Sequence, residues 1–340
     1  MLENLLLDSM NITSKEALDV ARESIELGFK RLWVTEGSER DSFAILGSIA
    51  PCIQGSELEI GTNLTNVYSR TPLLIGMASI TLIELTGDHF FLTLGTGGIG
   101  YVEKCHGLEF ARPLRRTREY LTLVRKILTS RAGEKIVFHG EFFNVDFKLR
   151  NAPTKPVSIF SSALNPKMIQ LAGELADGVV LSHMPIESLS DVKRNLKLGA
   201  EKSGRDVSRI VIFSNLPAGL DVREGIDALR KMIAFHVAAP TYEYLLELAG
   251  YGDVCREIRE KWESRKFDEA VSLVSDDLIT TVSLGYREKD IRRRIRDYED
   301  SGIVPILYPA LRPSSPASDV IELTRICRGV ATGNGLQLTG

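Results

Sequence analysis

The sequence predicts an α/β protein built as a single (β/α)8 barrel of the TIM-barrel class with insertions. Eight short apolar segments alternate with helical segments along the chain, and continuous apolar strands are typical of parallel sheets that are buried on both faces. The length of 340 residues accommodates one large barrel. An open doubly wound sheet is the alternative, but no Gly-x-Gly-x-x-Gly segment follows the first strand, as it does in dinucleotide-binding sheets.

The predicted elements follow one another in a regular order. Strand Leu5–Asp8 precedes a helix that starts with the capping box Thr13-Ser14-Lys15-Glu16 and ends at Gly28. The second helix starts near Asp41 and runs into Pro51. The other strands are predicted at Arg31–Thr35, Leu58–Asn63, Phe90–Leu94, Val157–Ser161, Gly178–Leu181, Ile210–Asn215 and Ile303–Leu307. The other helices are predicted at Thr71–Leu85, Pro113–Thr129, Pro166–Ala176, Leu189–Lys202 and Val222–Phe235.

Two stretches exceed a minimal barrel. Residues 134–149 alternate between polar and apolar side chains around Gly140, which predicts a β-hairpin. Residues 238–285 predict short helices over a mouth of the barrel, at Tyr242–Ala249, Val254–Ser264 and Phe267–Leu273. We therefore predict one domain over residues 1–340 that contains both insertions.

Composition excludes several classes of protein. Hydrophobic residues make up 44% and charged residues 26%, which is typical of a folded globular chain. A formal net charge of -3 argues against nucleic-acid binding, and the absence of an apolar run of about 18 residues argues against a membrane span. The acidic N-terminus does not suit a signal peptide, so we expect a cytoplasmic protein. The 4 cysteines are widely spaced and predict neither a disulfide nor a metal site, which leaves a small-molecule substrate as the expected partner.

Candidate functional residues follow from the fold, because barrel enzymes carry their chemistry at the carboxyl ends of the strands. Asp8 and Glu36 stand at the ends of the first two strands, and we predict them as the acid–base pair. Two buried carboxylates at neighbouring strand ends disfavour each other's ionised form, so that one of them is expected to keep a proton. His183, at the end of the sixth strand, is a further candidate, although a single histidine is also a common structural residue.

A phosphate site is predicted where the fifth strand meets its helix. Ser161, Ser162 and Ala163 precede Pro166 in a turn whose free amides and helix dipole suit an anion, and Lys167 adds a positive charge. A plain capped helix is the alternative. The loop that begins with Gly95-Thr96-Gly97-Gly98 permits close approach of a ligand to the backbone, but it matches no nucleotide-binding fingerprint.

Five segments together resemble the luciferase-like monooxygenases and their deazaflavin-dependent relatives. The segments are Leu32–Glu36 with Arg40-Asp41, Ile60–Pro72, Phe91–Gly97, Arg118–Tyr120 and Leu171–Gly178. Within this group, the run from Asn66 to Pro72 and the pair Pro166-Lys167 resemble the methylenetetrahydromethanopterin reductases, which use coenzyme F420. The resemblance covers roughly residues 5 to 330.

The resemblance implies an oxidoreductase with a flavin-like ring at the carboxyl ends of the strands and hydride transfer to or from a small electrophile such as a pterin-bound imine. It also implies a non-proline cis peptide at Asn63-Leu64 and a homodimer formed through the second and third helices. The predicted cofactor contacts are Asn63, Leu64, Thr65, Asn66, Gly95, Thr96, Ser161, Ser162, Ala163, Lys167 and His183. No metal is expected.

Two departures from the relatives limit what the resemblance implies. Related sugar-phosphate and alcohol dehydrogenases have a histidine where this chain has Gly37, and the sugar-phosphate enzymes have an acid at Gly98. Their mechanism and substrate therefore do not transfer. An FMN-dependent monooxygenase is the alternative function, and a flavin-binding barrel without catalysis is a third.

Overall fold

A closed barrel of parallel strands forms the centre of the molecule. The computed structural model describes residues 2–153 and 155–330, so that residues 331–340 of the predicted domain lie outside the described residues. The strands of this part are β1 Asn4–Leu7, β2 Arg31–Val34, β3 Glu59–Thr62, β4 Thr65–Asn66, β5 Phe90–Gly95, β6 Lys135–His139, β7 Asn144–Lys148, β8 Ser158–Ser162, β9 Gly178–Ser182, β10 Val211–Ala218 and β11 Val304–Pro309.

The barrel closes between β3 and β5. Neighbouring strands pair in the order β3, β2, β1, β11, β10, β9, β8 and β5, and β5 pairs with β3 again. At this closure Gly61 lies opposite Phe91, and a Cβ atom on Gly61 would overlap both the carbonyl oxygen and the ring of Phe91. Glycine at position 61 therefore permits β3 and β5 to pair at this closure. The predicted (β/α)8 barrel is confirmed.

Helices surround the barrel and bury their apolar sides against it. They are α1 Ser14–Glu26, α2 Ser42–Ile53, α3 Pro72–Thr86, α4 Pro113–Thr129, α5 Pro166–Leu175, α6 Leu189–Lys202, α7 Arg223–Val237, α8 Glu243–Leu248, α9 Gly252–Glu263, α10 Phe267–Ser272, α11 Asp276–Val282, α12 Glu288–Ser301 and α13 Pro316–Arg328. The predicted capping box holds the start of α1, where Thr13 and Glu16 bond to each other's backbone amides. No helix of the described residues is long and apolar enough to cross a membrane.

Aromatic rings fill the lower part of the barrel. Trp33 lies with its ring centre 4.4 Å from that of Phe91, 5.6 Å from Phe160 and 5.1 Å from Phe213. The indole nitrogen of Trp33 donates to Asn4 Oδ1 at 3.3 Å, which satisfies the one polar atom of the ring. This packed layer leaves the carboxyl ends of the strands as the open end of the lumen.

Both predicted insertions have the predicted type of structure. Strands β6 and β7 pair antiparallel, and the turn between them is fixed by Glu119 of α4, whose carboxylate accepts from the amides of Glu141 and Phe142 at 2.9 Å. Burial alone would raise the pKa of Glu119, but these amides and Arg115 hold it below the usual value. The second insertion contains α8, α9 and α10 near the predicted bounds, and also α11, which the sequence analysis missed.

Gly61→Ala is expected to lower the free energy of unfolding by about 1–3 kcal/mol, because β3 and β5 must separate to admit the methyl group. The shift in the urea unfolding midpoint measures the effect. Gly47→Ala in α2 is the control, since nothing lies within 4 Å of a Cβ atom there, and it should be neutral or stabilising by up to about 1 kcal/mol. Equal midpoints for Gly61→Ala and the wild type would contradict the tight closure.

Candidate active site

A polar ring lines the barrel mouth above the aromatic layer. Successive residues of a strand point alternately into the lumen and toward the helices. On each strand of the barrel, the residue two positions after the buried apolar residue or glycine of the lower layer therefore points into the lumen at the mouth. These eight positions carry polar side chains, and we call them the polar ring. Its members are Asp8, Thr35, Asn63, Thr93, Ser162, Ser182, Asn215 and Tyr308.

A bulge between β3 and β4 shapes one side of this mouth. The chain leaves β3 after Thr62 and pairs with β5 again at Thr65, and the peptide bond between Asn63 and Leu64 is cis, as the resemblance implies. Thr62 Oγ1 donates to the carbonyl of Thr93 and accepts from its amide, each at 3.1 Å. The hydroxyl of Thr62 thus replaces ladder hydrogen bonds at the bulge.

Several predicted cofactor contacts converge beside the bulge. A Cβ atom on Gly95 would lie 3.0 Å from the Leu64 side chain and 3.0 Å from Ser162, so these three residues form one continuous surface. Asn66, also a predicted cofactor contact, uses its side chain within the protein. Its amide group donates to Thr96 O at 2.9 Å and accepts from the Tyr68 amide at 2.6 Å. The side chain of Asn66 therefore holds two loops together.

A chain of side-chain hydrogen bonds crosses the mouth. Asn63 Nδ2 donates to Asn215 Oδ1 at 2.8 Å, and Asn215 Nδ2 donates to Ser182 Oγ at 3.2 Å. The amide of His183 donates to the carbonyl of Asn215 at 3.0 Å. This chain connects the bulge to the ends of β9 and β10 and fixes the floor of the site.

Asp8 lies at the mouth as predicted and is only 3% exposed. Its carboxylate accepts from the Met10 amide at 3.0 Å and from Asn11 Nδ2 at 2.7 Å. The Thr35 hydroxyl lies 3.4 Å from the same carboxylate. These contacts fix the orientation of Asp8 within the polar ring.

Glu36 is held by a cation. Arg70 Nε lies 3.2 Å from Glu36 Oε1, the Ser42 hydroxyl donates to Oε2 at 2.9 Å, and Arg70 also pairs with Asp41. The Glu36 side chain is 6% exposed. No hydrogen bond joins Asp8 and Glu36 in residues 2–153 and 155–330, so that the sharing of a proton between them stays a prediction.

Two backbone amides at the predicted phosphate site already have hydrogen-bond partners, whereas the prediction assumes that the amides there are free. The amide of Ala163 donates to the carbonyl of Val180 at 3.1 Å, and the amide of Met168 donates to the Asn165 side chain at 3.1 Å. The turn therefore offers fewer free amides than the sequence suggests, because Asn165 caps α5. Lys167 is exposed beside it.

Two buried polar side chains at the mouth lack hydrogen-bond partners among the described residues. They are Thr93, whose hydroxyl belongs to the polar ring, and His183, whose two ring nitrogens are both unpaired. The unpaired hydroxyls of Thr65 and Ser161 are in register with Leu94, which packs between the barrel and the helices, so they face away from the lumen. Buried polar groups are ordinarily paired, so the mouth is suited to a bound molecule with polar atoms.

A sequence model of the luciferase-like monooxygenase family matches residues 5–304. The chain belongs to this family. It is thus an oxidoreductase of the luciferase-like type, as predicted. A 5,10-methylenetetrahydromethanopterin reductase of Archaeoglobus fulgidus is 26% identical over 82% of this chain and 85% of its own length.

Solved structures confirm the luciferase-like barrel. The coenzyme F420-dependent tetrahydromethanopterin reductase of Methanopyrus kandleri superposes with a TM-score of 0.80 and 18% identity, covering 96% of this chain and 98% of its own. A type II Baeyer–Villiger monooxygenase of Pseudomonas putida, solved with FMN, superposes with a TM-score of 0.68 and 14% identity, covering 99% of both chains. At these identities the structures establish the fold.

Methionine occupies the place of an imidazole in this luciferase-like chain. A Cβ atom on Gly37, where related dehydrogenases have histidine, would lie 2.5 Å from Met10 Cγ and 2.8 Å from Met10 Sδ. The carbonyl of Gly37 also accepts from the Tyr101 hydroxyl at 3.0 Å. The departure at position 37 is therefore part of a packed arrangement.

Three aromatic residues of the mouth were missed as site residues. His236 of α7, Tyr242 and Tyr308 of β11 surround His183, with ring centres 4.6 Å apart for His183 and His236 and 5.5 Å apart for His183 and Tyr242. His236 and Tyr308 are 5.8 Å apart. The sequence offers a signal for Tyr308 alone, which lies two residues after Ile306, the lumen residue of β11 in the lower layer.

Glu36→Gln is expected to lower the free energy of unfolding by about 1–3 kcal/mol, because Arg70 loses a charged partner in a mostly buried position. Urea unfolding measures the change. Glu57→Gln provides the control, since the Glu57 side chain that pairs with Lys30 is 85% exposed and its loss should leave the unfolding midpoint unchanged. A Glu36→Gln variant as stable as the control would show that the pair with Arg70 is not structural.

Proposed function

We propose that this chain is a coenzyme F420-dependent oxidoreductase that transfers hydride between the deazaflavin and a small electrophile such as a pterin-bound imine. The observation that carries the proposal is the polar ring at the barrel mouth, in which the buried Thr93 hydroxyl has no hydrogen-bond partner among the described residues. A polar ring system bound at the mouth would supply the missing hydrogen bond. The similarity to a putative coenzyme F420-dependent oxidoreductase of Mycobacterium tuberculosis, 25% identical over 84% of this chain, supports the choice of cofactor.

The residues at the mouth suit such a group. Leu64 presents an apolar side chain packed against Gly95 and Ser162, which suits the face of a flat ring. Lys167 lies in the first turn of α5, where a helix dipole and a positive charge would favour an anionic tail. When bound, the deazaflavin supplies a carbon centre that carries hydride and activates oxygen poorly.

Asp8 is the acid–base residue that we propose for the reaction. Its carboxylate is buried, oriented by the Met10 amide and Asn11, and part of the polar ring. A proton held at or released from Asp8 would balance charge as hydride reaches or leaves the substrate. The cytoplasmic location expected from the sequence stays a prediction.

An FMN-dependent monooxygenase is the second candidate, and the family match favours it, since the family is described by that activity. The neighbour solved with FMN has the same fold. The two candidates differ in whether oxygen takes part in turnover.

Absorbance titration of the purified protein is expected to show saturable binding of coenzyme F420, with turnover that proceeds without oxygen. The same titration with FMN, followed by aerobic and anaerobic turnover, provides the comparison. Oxygen-coupled oxidation of reduced FMN and substrate, without binding of the deazaflavin, would contradict the proposal and favour the monooxygenase.

Asp8→Asn is expected to bind the deazaflavin as the wild type does but to turn over at least about 100-fold more slowly, because the amide transfers no proton. Asp19→Asn, at a carboxylate exposed on α1, is the matched control. Unchanged turnover in Asp8→Asn would remove the acid–base role from Asp8.

We also propose that two copies of the chain associate through α2 and α3. The outer face of α3 exposes Leu74 by 45%, Met77 by 55% and Leu85 by 38%. Apolar side chains that recur on one helix face are typical of a protein interface. The resemblance implies that a second copy of the chain covers this face of α3.

Met77→Glu is expected to convert a dimer to a monomer, because the variant would bury an unpaired charge in the interface. Light scattering coupled to size-exclusion chromatography measures the mass. Leu198→Glu is the control, since Leu198 is 49% exposed on α6, away from the proposed interface, and it should leave the mass unchanged. A monomeric wild type, or a dimeric Met77→Glu variant, would refute this interface.

A further inference from the structure

His183 is a buried side chain with an unmet capacity for hydrogen bonding. It is 1% exposed, and neither ring nitrogen has a hydrogen-bond partner among the described residues. Its backbone has a φ of 53°, in the left-handed region that non-glycine residues seldom adopt. Leaving one buried polar atom unpaired is unfavourable, so an imidazole with two such atoms indicates a ligand.

The rings around His183 come from α7 and from the start of the 238–285 insertion, not from the bulge. His236 lies near the end of α7, and Tyr242 closes the turn Pro240–Tyr242 at the start of the 238–285 insertion. Ser182 of the polar ring lowers the pKa of Tyr242 against the larger effect of burial. Gly95 stands on β5, whereas Tyr308, which neighbours His236, stands on β11 across the barrel.

The tautomer of His236 follows from its backbone contact. His236 Nδ1 lies 2.8 Å from the carbonyl oxygen of Met232, and because a carbonyl only accepts, Nδ1 carries the proton. Nε2 is left as an acceptor. The pair His183 and His236 therefore offers both donors and acceptors at one place.

Burial favours the uncharged form of both imidazoles. Burial, followed by the neighbouring His236, lowers the pKa of His183 well below its usual value, and burial lowers the pKa of His236 despite the bond to Met232 and the charge of Asp8. Burial and Asp8 raise the pKa of Tyr308, and burial raises the pKa of Tyr242 to about 12. Both tyrosines are therefore neutral near pH 7.

We propose that His183 and His236 form a substrate subsite that binds an uncharged group with both a hydrogen-bond donor and an acceptor, such as an amide. A carboxylate or phosphate has only acceptors and would face Asp8, whereas an ammonium group has only donors. Either one would leave a nitrogen of His183 unpaired. The subsite rests on the proposed function in one respect, namely that its occupant is the substrate and not the cofactor.

The test uses the full chain with isotope-labelled histidines and follows the five imidazoles by NMR. The signals of His183 and His236, assigned by substitution, are expected to stay those of neutral rings at pH 6, because a lowered pKa leaves a histidine uncharged until the pH falls below it. N-methylacetamide is expected to shift these two signals. Acetate and methylammonium, which match its size, are expected to leave them unmoved.

Two variants separate the subsite from a structural role. His183→Asn is chosen because asparagine tolerates a positive φ, and His236→Gln changes the second ring. Each is expected to weaken binding of N-methylacetamide by about two- to tenfold, as the loss of one hydrogen bond between uncharged groups does. His139→Asn, at an exposed residue of β6, is the matched control and should bind the probe as the wild type does.

Several results would overturn the proposal. One is that N-methylacetamide leaves the two signals of the wild type unshifted, and another is that acetate or methylammonium shifts them equally. A third is that the His183→Asn and His236→Gln variants bind N-methylacetamide with wild-type affinity. Loss of deazaflavin binding in His183→Asn would assign the residue to the cofactor instead. Titration of the wild type with deazaflavin tests the proposed function separately. If the deazaflavin does not bind, the proposed function fails, and the shifts induced by N-methylacetamide still decide whether the subsite exists.

Discussion

The packing of aromatic rings inside the barrel is the constraint on which the site depends. Trp33 contacts Phe91, Phe160 and Phe213 in the lower lumen, and rings of this size leave no room there for a ligand. Polar side chains in the same layer would lack partners. The polar ring therefore lies one lumen position nearer the carboxyl ends of the strands, where bound molecules and the insertion can contact it.

The barrel itself follows from the sequence because its signals are local. Apolar strands buried on both faces, a capping box and proline at helix starts each fix an element without reference to distant residues. Bounds such as those of α4 and α6 agree with the prediction to the residue. The bulge at Asn63 was predicted by resemblance, since no local pattern in the chain indicates a cis peptide.

The pairings within the site are not local, which is why sequence reasoning missed them. Asn63 and Asn215 bond across 152 residues, and their contact depends on how far each strand extends into the mouth. The sequence pattern of a strand predicts which face of the sheet a residue is on, but not how far along the barrel axis the residue lies. Glu36 was correctly placed at a strand end, but its pairing with Arg70 depends on the path of the chain after the bulge. His236 was not predicted as a site residue, because its contact with His183 joins positions 53 residues apart that no local pattern connects.

The contact between Gly37 and Met10 couples two positions that are far apart in the chain. Any side chain larger than hydrogen at position 37 must displace the thioether of Met10, whose Cγ would be 2.5 Å from the new Cβ atom. Met10 is 39% exposed and its side chain is flexible, so rotation of the thioether into solvent makes room at position 37. A histidine there therefore requires a new rotamer of Met10 and no prior substitution at position 10.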